Sequence, residues 1–259
     1  MAYKQLKLWF DEELAKNLAN KIEEVDPTFQ KKKFINYIVP RIAPLELKDR
    51  VKVFASALKE FLPSNYEASI NILLQILGPE NEKETGMFKE YYWIMPIAQY
   101  VESYGLDHFE VSMQAIQEIT KRNTGEYAIR PYLKKYPERT LKILQKWAKH
   151  PNKHVRRLAS EGIRPRLPWA SKLSQFIEKP SHLLPILNQL KDDPSKYVQK
   201  SVANCVNDIL KDNLEVGKSL LQKWAKAPTA QRKWIIKYAL RNFRKKEVDW
   251  ALEICSQLG

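Results

Sequence analysis

The sequence predicts an all-α chain, and three observations carry that expectation. Apolar residues recur every three or four positions along most of the 259 residues, the spacing of amphipathic helices. No alternating strand pattern and no Asn-Gly or Asp-Gly hairpin turn interrupts them. Nine of the 15 prolines (Pro27, Pro44, Pro63, Pro79, Pro137, Pro151, Pro180, Pro194 and Pro228) fall where one helical pattern stops and another starts, as a fixed φ and a missing N–H require.

In chain order, Leu14, Leu18 and Ile22 mark the first core stripe, and Phe34, Ile38 and Ile42 the second, with Pro40 set against its last turn. Val53, Ala57 and Phe61 form the third, followed by Ile70, Leu73, Leu74 and Leu77. The polar stretch Asn81–Gly86 reads as a loop. It separates an N-terminal helical part, about residues 1–80, from a repeat array, about 87–259, within one domain. In the array, LQKWAKHPNKHVRRLASEGIR from Leu144, LNQLKDDPSKYVQKSVANCVN from Leu187 and LQKWAKAPTAQRKWIIKYALR from Leu221 each read helix, proline turn, helix. Their prolines, Pro151, Pro194 and Pro228, lie 43 and 34 residues apart. GEYAIRPYL at Gly125 echoes SEGIRPRLP at Ser160. Such periods, with two helices each, belong to HEAT-like (armadillo-type) repeats, whose pairs bury their apolar faces only by stacking. The fold class expected is therefore a curved all-α solenoid of HEAT-like repeats, with a concave groove lined by the second helix of each pair.

Composition narrows the function. Lys and Arg outnumber Asp and Glu, 44 to 30, for a net charge of +14 that favours a polyanion, nucleic acid or an anionic membrane. No GxxxxGK[ST] or GxGxxG is present, which argues against a nucleotide-cradling enzyme. The longest apolar run, Tyr91–Val101, is interrupted by Pro96 and Gln99 and is too short to span a bilayer, and no secretory leader is visible in Met1–Phe10. Cys205 and Cys255 make no disulfide framework, which suits a reducing cytosol. His150 and His154 have ligand-like spacing but no third partner, so neither a metal nor a cofactor is expected.

Helical phase places the groove residues. Arg157, Glu161 and Arg164 share one face of their helix, and Lys200, Asn204 and Asp208 one face of the next. Lys233, Lys237 and Arg241 form a basic stripe on the last, and Glu126 and Arg130 stand one turn apart. Acids within cationic rows repel phosphate, so a pure backbone binder has no reason for them. The alternative for each is an ordinary surface pair worth about 0.3–0.5 kcal/mol. Trp147 and Trp224 occupy equivalent repeat positions and read as core. Trp169, ending the loop RPRLPW, is either a plug between repeats or an aromatic facing a ligand, and Tyr92 and Trp93 are open in the same way.

The strings GMFKEYYWIMP, GEYAIRPYL, HVRRLASEGIRPRLPW, YVQKSVANCVNDI and RKWIIKYALR resemble the AlkC family of bacterial alkylpurine DNA glycosylases, in the AlkC/AlkD HEAT-like superfamily, over nearly the whole chain. The resemblance implies hydrolysis of the N-glycosidic bond of cationic N-alkylated bases, chiefly N3-methyladenine, in double-stranded DNA without base flipping. It implies Glu126 and Glu161 as catalytic carboxylates and Arg157, Asp208 and Trp169 as lesion-facing residues; the basic residues of the groove faces, Arg130, Arg164, Lys200, Lys233, Lys237 and Arg241, are the expected DNA contacts. The chain departs from the family pattern at Cys205 and Tyr238, where histidines are expected, and the immunoglobulin-like domain that some relatives carry is not expected here. The expectation is a monomeric cytoplasmic base-excision-repair hydrolase with no lyase activity. The alternatives are a non-enzymatic HEAT-like nucleic-acid-binding module and a protein scaffold.

Overall fold

Each repeated string is punctuated by a proline followed at once by a capping residue. Asn152, Ser195 and Thr229 each accept from backbone N–H groups of the helix they open: Asn152 from His154 at 2.8 Å, Ser195 from Val198 at 3.4 Å and Thr229 from Arg232 at 3.2 Å. Such caps are worth about 1 kcal/mol apiece. The computed structural model describes residues 4–86 and 88–259, all of its regular structure there being helical. Met1–Tyr3 of the N-terminal stretch and Met87 of GMFKEYYWIMP lie outside the described residues. Among the described residues no helix is long and apolar enough to cross a membrane.

The chain divides into two compact units, one ending at Tyr132 and the other running from Leu133 to Gly259. The first holds α1 (Glu12–Val25), α2 (Lys31–Ile42), α3 (Leu47–Phe61), α4 (Tyr66–Gln75), α5 (Phe88–Tyr91), α6 (Met95–Tyr104) and α7 (Phe109–Thr120). The irregular stretch Asn81–Gly86 separates α4 from α5, as its polarity predicts. Pro40 does not end α2, which runs through it to a buried Ile42. On α3 the expected stripe holds only at Ala57: Val51, Phe54, Ala55 and Leu58 are buried with it, whereas Val53 and Phe61 are half-exposed. Tyr92 packs against Trp9, Phe10 and Phe88 in an N-terminal aromatic cluster, and Lys21 covers Trp93 at 4.9 Å. Gly105 lies where Tyr66, Ser112 and Tyr132 converge; a Cβ there would stand 2.2 Å from the Tyr66 hydroxyl.

A short α8 (Arg130–Lys135) straddles the division, and the second unit continues with α9 (Pro137–Trp147), α10 (Lys153–Glu161), α11 (Ser174–Glu178), α12 (Leu184–Leu190), α13 (Lys196–Asp212), α14 (Leu214–Trp224), α15 (Ala230–Ala239), α16 (Arg241–Lys245) and α17 (Asp249–Ser256). The second helices α10, α13 and α15 pack side by side in that order, with α9, α12 and α14 behind them. Val155, Leu158, Val198, Val202, Cys205, Ile209, Ile236 and Leu240 are buried as their phase predicts, and so are Trp147 and Trp224. Small residues let α10 and α13 approach closely, and the Ser160 and Ser201 hydroxyls meet at 2.7 Å. Arg–Asp ties join successive repeats: Arg156 grips Asp193, Arg232 grips Asp192, and Arg166 grips Asp212.

Candidate active site

In the first unit the acid of GEYAIRP lies in a turn, not on a helix. Residues 126–129 form consecutive turns ahead of α8, where spacing alone puts Glu126 and Arg130 on one helix. The turn is built locally. Asn123 donates to the Tyr91 carbonyl at 3.0 Å, Arg122 reaches the Gly78 carbonyl at 2.9 Å, and the Thr124 hydroxyl donates to Glu126 Oε2 at 2.9 Å while accepting from the Glu126 N–H at 3.2 Å. Glu126 and Arg130 are both buried. Burial of Arg130 sets it apart from the exposed phosphate contact that its charge suggests. Sequence phase missed Glu102 on α6: burial pushes its carboxyl above the usual range, and Lys48, Lys52 and Arg130 only partly offset this. Its signal was an acid directly after the apolar run ending at Val101.

In the second unit, charges alternate along a row that crosses from α10 to α13. Arg157 Nη2 lies 3.5 Å from Glu161 Oε1, and Arg164 Nη1 donates to the same oxygen at 2.7 Å. Arg164 Nε donates to Asp208 Oδ2 at 2.9 Å, and Lys211 Nζ stands 3.6 Å from Asp208 Oδ1. Glu161, Arg164 and Asp208 are buried, while the side chain of Lys211 is 47 % exposed. Burial pushes the Glu161 carboxyl up, but the Arg157 and Arg164 guanidiniums and the Ser201 hydroxyl outweigh it and hold it below the usual carboxylate range. Asp208 goes the other way. Burial raises it, and Arg164 and Lys211 do not fully offset that. Neighbouring carboxyls with oppositely displaced affinities for a proton mark a site built for chemistry more often than for cohesion. Arg164, expected on phosphates, is instead committed to these two acids. Cys205 is buried beside them, and burial pushes its thiol well up, so it is no nucleophile.

Trp169 is 70 % exposed and adopts φ 66, a left-handed conformation that costs a bulky residue on the order of 1–3 kcal/mol. Exposure and strain together rule out the plug between repeats. The loop that presents it closes on itself through Leu173 N–H to the Pro165 carbonyl at 3.1 Å.

The last basic row differs from the stripe that phase predicts. α15 stops at Ala239 and Arg241 opens α16, so Lys233, Lys237 and Arg241 do not share one helix face. Lys233 and Lys237 end beside Gly259, with Lys237 Nζ 3.5 Å from its carbonyl oxygen. Arg241 joins an aromatic row instead. Its guanidinium lies 4.3 Å from the Tyr238 ring and donates to Asn204 at 3.0 Å; Tyr238 stacks on Trp234 at 4.8 Å; Lys196 covers Trp234 at 3.7 Å. Tyr238, a departure from the family pattern, is thus the centre of that row. Lys200 is exposed on the same α13 face as Asn204. The second unit therefore brings Arg157, Glu161, Arg164 and Asp208 into one network, with Arg241 tied to α13, and keeps Lys233 and Lys237 out of it.

Residues 98–243 match the family model for DNA alkylation repair enzymes. The chain is 37 % identical over 250 residues to the uncharacterized protein YhaZ of Bacillus subtilis (strain 168), covering 96 % of this chain and 67 % of that protein. It superposes on the alkylpurine DNA glycosylase AlkC of Pseudomonas fluorescens, solved bound to DNA containing an abasic site analog, with a TM-score of 0.89 and 35 % identity over 98 % of this chain and 68 % of that one.

Proposed function

Because the chain belongs to the family of DNA alkylation repair enzymes and shares the AlkC architecture over nearly its whole length, we propose that it excises cationic N-alkylated purines, N3-methyladenine foremost, from duplex DNA by hydrolysing the N-glycosidic bond. The observation that carries this reading is the buried acid pair Glu161 and Asp208, joined by one guanidinium in a chain of net charge +14. A phosphate-binding surface alone gives such acids nothing to do.

The chemistry follows from the lesion. An N-alkylated purine already carries positive charge and leaves without a general acid. The sugar left behind develops oxocarbenium character, which fixed carboxylates stabilise while positioning a water, as in glycoside hydrolysis. Glu161 and Glu126 take that part, with Asp208 beside Glu161. The exposed face of Trp169 favours a cationic over a neutral base by roughly 0.5–2 kcal/mol, discriminating by charge without a pocket for a flipped nucleotide. Arg157, Lys200, Lys211 and Arg241 hold phosphates. Water, not a lysine amine, attacks, so the strand stays intact and an abasic site is the product. The enzyme works as a monomer in the cytosol, without metal or nucleotide.

The test is release of free methylated base from N-methylated duplex DNA in the presence of chelator. Free N3-methyladenine with an intact abasic strand is the expected result. Tight, salt-sensitive binding with no base released at micromolar protein would leave a non-enzymatic DNA-binding module, and recovery of an acidic protein in place of DNA would leave a scaffold.

A further inference from the structure

We propose that Arg164 is a positioning residue for excision: its guanidinium, held between α10 and α13, fixes Glu161 and Asp208 in place and does not grip DNA. The inference rests on the glycosylase reading above.

The neighbouring arginines are the internal control. Arg156 meets one carboxylate, Asp193, through Nε at 2.6 Å and Nη2 at 3.2 Å; Arg166 pairs with Asp212 and Arg232 with Asp192 in the same two-handed way. Each is a one-to-one tie between repeats, the arrangement that cohesion requires. Arg164 instead divides itself. Nη1 serves Glu161 and Nε serves Asp208, so acids from two helices share one cation. For stability alone this is a poor bargain, because the three buried groups carry two negative charges and one positive. For chemistry it has a use. Two acids joined through one guanidinium lean on it for their charge, since like charges without a cation between them favour the protonated form. A planar guanidinium offers donors to both sides, which a lysine ammonium cannot do in that geometry.

The ends of the row behave differently. Arg157 and Lys211 stand farther from their acids, at 3.5 and 3.6 Å, against 2.7 and 2.9 Å for Arg164. Lys211, half exposed, is able to turn toward phosphate, whereas Arg157 also lies over the Tyr197 ring at 5.0 Å and the inner Arg164 is held by both acids. The charged and polar groups facing the acids are Arg157 from α10, Arg164 from the turn after it, and Ser201, Cys205 and Lys211 from α13.

The experiment is single-turnover excision of N3-methyladenine against pH, with DNA affinity against salt, for wild type, Arg164→Gln, Arg164→Lys and the tie variant Arg156→Gln. In Arg164→Gln the rate near neutral pH should fall about a hundredfold or more. Its acid limb should move up by about one pH unit or more, because both carboxyls lose the cation that keeps them ionised. DNA affinity should hold within about threefold, with the salt slope unchanged. Arg164→Lys should recover only part of the rate. Arg156→Gln should lower the melting temperature and leave the acid limb where it is. An acid limb in Arg164→Gln that coincides with wild type overturns the proposal. So does a loss carried by DNA affinity with a salt slope smaller by about one, the signature of a phosphate contact. Should Arg164→Gln not fold, the Arg164 Nε–H resonance of the wild-type protein decides: protected from exchange and unmoved by duplex DNA in the expected case, displaced by DNA in the contrary one. A wild-type chain that releases no base sinks the glycosylase reading instead, and the resonance still tells whether Arg164 stays on its acids.

Discussion

Glu126 and Glu161 come from look-alike strings, GEYAIRP and SEGIRP, yet the two units seat them in different local structure. Glu126 sits in a turn and is oriented by a neutral hydroxyl from its neighbour Thr124. Glu161 ends a helix and is oriented by cations, one of them shared with an acid 47 residues later in the chain. A single residue makes the difference: the acid precedes the arginine of IRP by four positions in the first string and by three in the second. In the second, that arginine turns back onto its own acid.

The largest effects should come from neutralising the acids. Glu161→Gln and Glu126→Gln are each expected to slow excision about a thousandfold, on the order of 4 kcal/mol in the barrier, with duplex affinity retained. The comparison predicts that they part in stability. Glu126→Gln keeps an oxygen for the Thr124 hydroxyl and should melt within a degree or two of wild type. Glu161→Gln removes the carboxylate on which the Arg157 and Arg164 guanidiniums converge and should cost about 1–3 kcal/mol in denaturant unfolding. Equal melting temperatures would erase the distinction.

The pH profile is the next lever. Asp208 binds its proton above the usual range and Glu161 below it, so as pH falls Asp208 should protonate first and Glu161 later, giving an acid limb in two steps. Asp208→Asn should remove the upper step and leave the lower one. By the same sign, the stability that the depressed Glu161 contributes is complete above its unfolded value and is lost as pH falls through its lower folded value.

Smaller changes test the surroundings. Thr124→Val removes the hydroxyl that orients Glu126 and should cost about tenfold in rate, near 1.4 kcal/mol. Trp169→Gly should lose roughly 0.5–2 kcal/mol of preference for cationic over neutral bases, while gaining a little thermal stability because glycine adopts a positive φ without penalty. Lys200→Ala should weaken duplex binding alike for all sequences and lower the salt slope by about one, whereas Lys237→Ala, beside Gly259, should hardly change either.

Much of the fold was legible because it repeats local rules. Leu14, Leu18, Val155, Val202 and Ile236 are buried where helical phase puts them, and Pro151, Pro194 and Pro228 each mark a break between two helices. Phase failed where it was carried across a break or started one residue out. Lys233, Lys237 and Arg241 fit one stripe on paper, but the helix ends between the second and the third. Val53 was placed inward although Val51 and Phe54 take that side of α3. The site was legible in its residue types and less so in their roles. Arg157 and Glu161 pair as an i,i+4 rule expects, yet the closer partner, Arg164, lies beyond the helix end, where no such rule applies.

The sequence by itself determined the helices, their pairing around proline turns, the basic excess and the acids set within it, because periodicity, capping and composition are properties of neighbouring residues. Only the tertiary structure decided which charges meet. Glu161 and Asp208 share one guanidinium because α10 and α13 approach closely enough for their serines to touch. That distance depends on how two helices pack, and residues dozens of positions apart carry no local trace of it.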